Sequence, residues 1–189
     1  MTTDAQTTPL APLLPLTTGR WELDTAHSSV SFTIRHLGIS KVRGRFAEVE
    51  SALVVGTTLK ESAVHATVAL ASIDTGNETR DAHVRASDLL DVEKRPTMTF
   101  RSTGAHGEGE EWTLEGELTI GDVTREVSFE VEFGGLVETP FGSRHAGFEA
   151  QGQIRRSDFG LNFGAADAML GDAVKIQIDA QFVEPQAGE

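Results

Sequence analysis

The sequence predicts an all-β fold with one helix, closed into an antiparallel barrel. Three observations carry this. Eight or nine segments alternate apolar and polar residues with period two, the mark of strands with one buried face. The period changes once, over residues 77–91. A single sheet of that many strands would leave unpaired edges, which closure removes.

The elements follow in chain order. Residues 1–18 hold Pro9, Pro12 and Pro15 among threonines. A proline at every third position suits polyproline II, so a disordered tail is expected here. Alternation starts with "RWELD" at 20–24 and continues in "SSVSFTIRH" at 28–36. "RFAEVESALVV" at 45–55 and "AVHATVALASI" at 63–73 are the next strands. Ala82, Val84 or Arg85, Leu89 and Leu90 then recur at helical spacing, which predicts a helix over 77–91 that Pro96 follows. "TMTFRST" returns to strand. "EWTLEGELTI" and "REVSFEVEF" form a hairpin around the "GDV" turn at 121–123. "HAGFEAQGQI" at 145–154 and "AVKIQIDAQF" at 173–182 complete the set. The barrel domain is therefore expected over 19–184, with a short C-terminal tail at 185–189.

Composition narrows the function. At 189 residues the chain is one domain by length, and with 39% hydrophobic and 24% charged residues it is globular. A net charge of −13 argues against nucleic-acid binding and against docking on anionic lipid by charge alone. The absence of cysteine excludes disulfides, thiolate catalysis and Cys-based zinc sites. No stretch approaches the ~18 apolar residues of a membrane span, so no stable membrane insertion is expected. Pro12 and Pro15 interrupt the apolar run near the start, so no secretory signal is read there and a cytoplasmic location is expected.

The inward faces decide between a filled and a hollow barrel. Gly116, Ala146, Ala150, Gly152 and Ala180 alternate with Phe, Leu, Ile and Trp on those faces. Small residues beside aromatic walls leave room for an apolar channel, as in lipid carriers, or accommodate the taper of a filled barrel. A chain-like lipid would gain roughly 0.8 kcal/mol per buried CH₂, about 8 kcal/mol for ten.

Catalytic signals are weak. The six histidines form no tight metal pattern, and no cofactor is expected. His27 and His36 close the ends of one strand roughly 30 Å long, at ~3.3 Å per residue, too far apart to share a metal. Ser28, His83 and Asp81 could be imagined as a triad, but no nucleophile elbow marks a serine. Arg80, Asp81, His83 and Arg85 cluster in "TGNETRDAHVR". They read either as a mouth for a polar or anionic head group or as a capped helix with surface ion pairs.

Four blocks, in order and with fitting spacing, resemble the signatures of the YceI-like family: "WELDTAHSSVSFTIRHLGISKVRGRF", "ASIDTGNETRDAHVRASDLLDVEKRPTMTFRST", "GELTIGDVTREVSFEVEF" and "RRSDFGL". The resemblance covers about residues 20–183. It implies an extended eight-stranded antiparallel lipocalin-like barrel with a helix packed at one end. It also implies non-enzymatic binding of a long isoprenoid, of the polyprenyl diphosphate or quinone class, or of another lipid, and a homodimer as one form. On this reading the lining comes from Val30, Phe32, Ile34, Met98, Phe100, Leu114, Leu118, Phe129, Phe148, Ile154 and Ile176. The head group meets His36, Arg80, Asp81, His83 or Arg156. His36 is in phase with Val30, Phe32 and Ile34 and is expected at the mouth; His27 is out of phase and is expected to be structural.

Overall fold

The structure is a computed structural model that describes residues 14–186. Eleven strand segments form one antiparallel sheet: β1 (Gly19–Leu23), β2 (Ser29–His36), β3 (Ser40–Phe46), β4 (Val49–Val55), β5 (Ala63–Ala69), β6 (Ile73–Asp74), β7 (Thr97–Glu108), β8 (Glu111–Ile120), β9 (Val123–Glu138), β10 (Arg144–Arg155) and β11 (Leu170–Val183). Three pairs of segments lie end to end. Along β11, Leu23 of β1 pairs with Phe182 and Ser29 of β2 with Asp179. Along that composite strand, Phe46 of β3 pairs with Val30 and Ala52 of β4 with Glu22. Along the next, Val68 of β5 pairs with Val49 and Ile73 of β6 with Phe46. The segments thus make eight staves in up-and-down order, and β11 closes the barrel on β1 and β2. Closure satisfies both edges of the sheet.

Each interruption has a local cause. At Asp24–Ser28 the Asp24 carboxylate accepts the Ala26 N–H at 3.0 Å, an Asx turn that stops β1. At Ala47–Glu48 the two N–H groups turn to Ser72, one to its carbonyl at 3.1 Å and one to its Oγ at 3.0 Å. Ser72 itself ends the 3₁₀ turn Leu70–Ser72 that separates β5 from β6.

Two expectations need correction. A single strand over 45–55 is split at residues 47–48, and β3 reaches back to Ser40. The period-two signal of β3 was faint because its inward row is Val42, Gly44 and Phe46, with a glycine at its centre. The inward phase also changes at the break, from Phe46 to Val49, so an unbroken alternation through 45–55 put Phe46 on the wrong side. The helix α1 spans only Glu78–Arg85, capped by the Asn77 side chain, which accepts the Arg80 N–H at 2.9 Å. Leu89 and Leu90 belong to a turn instead, in which Asp91 has φ 49° and Leu90 N–H donates to the Val84 carbonyl at 3.0 Å. Both leucines drop into the core from that turn, so they mimicked helical spacing.

Residues 1–13 of the expected tail lie outside the described residues, as do 187–189. Leu14–Thr18 are described, and they belong to the barrel: Leu16 is buried, and the Trp21 indole N–H donates to the Thr17 carbonyl at 3.0 Å. Pro185 packs on Gly19. No helix among the described residues is long and apolar enough to cross a membrane.

Two apolar clusters plug the barrel at its ends. One gathers Leu16, Trp21, Val55, Phe133, Ala146 and Phe182. The other, at the α1 end, gathers Leu70, Leu118, Ile120, Phe159 and Leu161.

Candidate functional site

Between the two clusters the barrel is hollow. A cavity of about 260 Å³ runs along the bore, lined almost wholly by apolar side chains. The volume is close to the lower end of the ~300–1,000 Å³ usual for ligand pockets. The alternation of each strand delivers the wall. β2 contributes Val30, β7 Met98 and Phe100, β8 Leu114 and Leu118, β9 Phe129, β10 Phe148 and Ala150, and β11 Ile176 and Ala180. Several of these apolar residues are only partly buried, because the void gives them no packing partner on one side.

The small residues of the inner faces divide into two kinds. Ala150 and Ala180 border the void. Gly116 and Gly152 do not; they are seats for aromatic rings. A Cβ on Gly116 would lie 2.4 Å from the Phe100 ring, and one on Gly152 would lie 2.7 Å from the Phe129 ring. The two rings meet edge to face at 5.5 Å between centroids. The glycines therefore let two phenylalanines lie flat against the wall rather than cross the bore.

Most hydroxyls of the wall are engaged with backbone. Ser51 Oγ donates to the His65 carbonyl at 2.9 Å. Ser62 Oγ donates to the Thr58 carbonyl at 2.8 Å and accepts the Gly56 N–H at 2.9 Å. Ser102 Oγ accepts the Val64 N–H at 2.8 Å, which carries the β5–β7 pairing past the bulge after Ser102. The Ser51 and Ser62 hydroxyls, each donating to a carbonyl, add little polarity to the cavity surface.

The structure brings half of the expected site residues to the cavity: Val30, Met98, Phe100, Leu114, Leu118, Phe129, Phe148 and Ile176. The other half lie elsewhere. Phe32 and Ile34 share the inward phase of Val30 but sit further toward the α1 end, beyond the void. There Phe32 packs on Phe46, 5.6 Å between centroids, and over Gly44. Ile154 packs into the cluster that plugs that end. His36 stands outside the cavity at the end of β2, paired with Ser40.

The charged candidates are bound to the fold itself. Arg80 donates from Nε to Thr75 Oγ1 at 2.7 Å and from a terminal nitrogen to the Thr75 carbonyl at 2.8 Å. Asp81 is buried and accepts the Thr75 N–H at 3.0 Å. Together they fasten β6 to α1. His83 bonds Asp88 at 2.9 Å, and Arg85 donates to the carbonyls of Ala71 and Ile73, each at 2.7 Å. Arg156 is 5% exposed and donates to the carbonyls of Gly171, Leu161 and Leu170 at 3.0, 2.8 and 3.1 Å. It also bonds Asp167 at 2.6 Å and lies 4.7 Å from the centroid of the Phe163 ring. It clamps the loop before β11. Ser28, His83 and Asp81 form no triad, since Asp81 holds Thr75 and His83 holds Asp88.

Thr25, Ser28, Ser29, Ala47 and Asp179 also reach the cavity, and sequence reasoning missed all five. For Thr25, Ser28 and Ser29 the signal was the turn chemistry of "LDTAHSS", which reads as a strand start until β1 and β2 are seen to be one interrupted stave; Ala47 and Asp179 carried no such signal. On the outer face beside them, Asp24 accepts from His27 Nδ1 at 2.8 Å, and this hydrogen bond holds its carboxyl below the ordinary 3.8. Gln181 links Asp24 to His145, at 3.2 and 2.8 Å.

Known proteins share this architecture. The profile of the YceI-like domain matches residues 21–182. A UPF0312 protein of Staphylococcus epidermidis is 37% identical over 172 residues, covering 86% of this chain and 96% of its own. Protein YceI of Salmonella arizonae is 36% identical over 136 residues, 71% of each chain. Among solved structures, the YceI protein of Campylobacter jejuni superposes with a TM-score of 0.69 at 30% identity, covering 87% of this chain and 97% of its own. A polyisoprenoid binding domain from Saccharophagus degradans shares the fold at 15% identity, with a TM-score of 0.70 over 87% of this chain and 98% of its own. On the profile match and the close relatives together, this chain belongs to the YceI-like family.

Proposed function

We propose that this protein is a non-enzymatic binder of a lipophilic chain, of the isoprenoid class, held in the bore of the barrel. The single observation that carries the reading is the apolar cavity of about 260 Å³ in the bore, whose Ser51 and Ser62 hydroxyls donate to backbone carbonyls. About ten CH₂ groups buried in it would contribute ~8 kcal/mol before the cost of ordering the chain. The wall carries one ionisable side chain, Asp179, at its rim, which supports binding over chemistry. The fold shared with a polyisoprenoid binding domain points the same way.

Mass spectrometry of an organic extract of the purified protein, followed by titration of delipidated protein with isoprenoid alcohols, tests the proposal. A co-purified chain lipid, or saturable uptake at one per barrel, is expected. Empty protein that takes up no added isoprenoid would overturn it.

A further inference from the structure

We propose that the cavity opens sideways, at the break between β1/β2 and β3/β4, and that this portal selects a chain with an uncharged head group over one ending in a phosphate or diphosphate. This rests on the binding function proposed above and names the ligand class for that same cavity.

The location follows from exposure and register. Five cavity-lining residues are exposed, and four of them, Thr25, Ser29, Ala47 and Asp179, meet at one place. Ser29 is paired with Asp179 across β2 and β11, and Ala47 follows Phe46, which is paired with the neighbouring Val30. Pairing between these staves stops at Glu22↔Ala52 and resumes at Val30↔Phe46, so the wall between has no ladder. Both ends of the bore are closed by packed side chains, buried Leu16 with half-buried Leu14 at one end and buried Leu118 at the other. An apolar bore sealed at both ends and unladdered in its side exchanges ligand through the side.

The chemistry of the rim supplies the selection. Thr25 makes no side-chain hydrogen bond among the described residues, and Ser28 Oγ accepts the Gln181 N–H at 3.0 Å with its own proton uncommitted. Both hydroxyls are free to donate to an oxygen of a head group. Around them stand Glu22, Asp24, Glu48, Glu50 and Asp179, with Glu149 paired directly opposite Asp179. Segments 22–29, 46–52 and 177–181 contain no lysine or arginine, and His27, their one basic group, is bonded to Asp24. At the edges of these segments Arg20 is paired with Glu22 and Arg45 with Asp74, and Arg85 of α1 is held by two carbonyls. A diphosphate at this mouth would meet more carboxylates than cations, and the flanking arginines among the described residues are already paired.

The test uses geranylgeraniol and geranylgeranyl diphosphate, which share one tail, in competition with a fluorescent lipophile on the full chain. The alcohol is expected to bind at least roughly tenfold tighter, and the double variant Glu50→Lys, Asp179→Lys should shrink that ratio several-fold. Equal binding, preference for the diphosphate, or a ratio unmoved by charge reversal overturns the selection while leaving lipid binding intact. If neither compound binds, the binding function falls as well. The chain has no cysteine, so Ala47→Cys can be labelled alone with a bulky maleimide. Uptake should slow at least tenfold with the label at Ala47→Cys and stay unchanged with it at the exposed hairpin residue Ile39→Cys. The reverse pattern would place the mouth at the α1 end and overturn the portal.

Discussion

Ala150→Leu should make this protein more stable and worse at binding. Ala150 lies on the inner face of β10, paired with Val131 and Ile178, and borders the void. Leucine adds three carbons that find empty space rather than neighbours. At ~0.8 kcal/mol per buried carbon group this gives ~2.4 kcal/mol, and rotamer ordering removes ~0.5–1 kcal/mol. A net gain of about 1.5 kcal/mol corresponds to a rise in Tm of roughly 3–6 °C for a domain of this size. The same carbons displace about 2 kcal/mol of ligand contact, so affinity for an isoprenoid alcohol should fall roughly 10- to 50-fold. Calorimetric melting of delipidated protein and a fluorescence titration read the two effects. Gly152→Leu is the control on the same face, two residues along β10. There a Cβ already meets Phe129 at 2.7 Å, so that variant should lose about 1–3 kcal/mol. If Ala150→Leu melts lower and still binds, Ala150 faces packed core and the hollow-barrel argument fails.

Three further outcomes are expected. Arg156→Lys should cost at least about 3 kcal/mol, because one ammonium cannot serve three carbonyls and Asp167; chemical denaturation should show the loss while affinity per folded molecule stays unchanged. Leu16→Ala should cost about 2–3 kcal/mol yet lengthen the bore, so the variant should accept longer isoprenoids than the parent in a chain-length series. Asp172 accepts from the Ser157 N–H at 3.0 Å and from Ser157 Oγ, which hold its carboxyl below the ordinary 3.8. A depressed folded-state value stabilises the fold above the ordinary value and loses that contribution as pH falls through it. Parent and Asp172→Asn should therefore differ in stability near about pH 6 and converge as the pH falls below the depressed value, as read by melting across pH.

The strands from β7 to β11 were legible because each has one face in the core and one in water. Trp112, Leu114, Leu118 and Ile120 could not change face without burying Glu115 and Glu117. The same alternation named the half of the lining that those strands and Val30 supply. It did not reveal where along the bore the void ends. Phe32 and Ile34 have the inward phase of Val30, and Ile154 that of Ala150, and only the packing of the α1 end shows that they lie beyond the void.

The charged residues mark a sharper boundary between sequence and structure. Arg80, Asp81, His83 and Arg156 look alike as ligand-seeking groups and as structural clamps, because composition records charge but not partner. Thr75, Asp88 and the carbonyls around Leu161 and Leu170 are distant in sequence or hidden in loops, and they claim those groups in the folded chain. The mouth proposed above was hidden in the sequence for the same reason. A strand break reads as a turn between two elements, and it becomes a hole in a wall only when a second break, at Ala47–Glu48, lands beside it. Sequence alone determined the all-β barrel, its inward rows and its family, since period-two burial is a local property. Tertiary structure alone decided that the bore is hollow, that α1's charges hold the fold and that one stretch of the wall has no ladder. Those depend on which distant segments share a neighbourhood, and no local pattern encodes that.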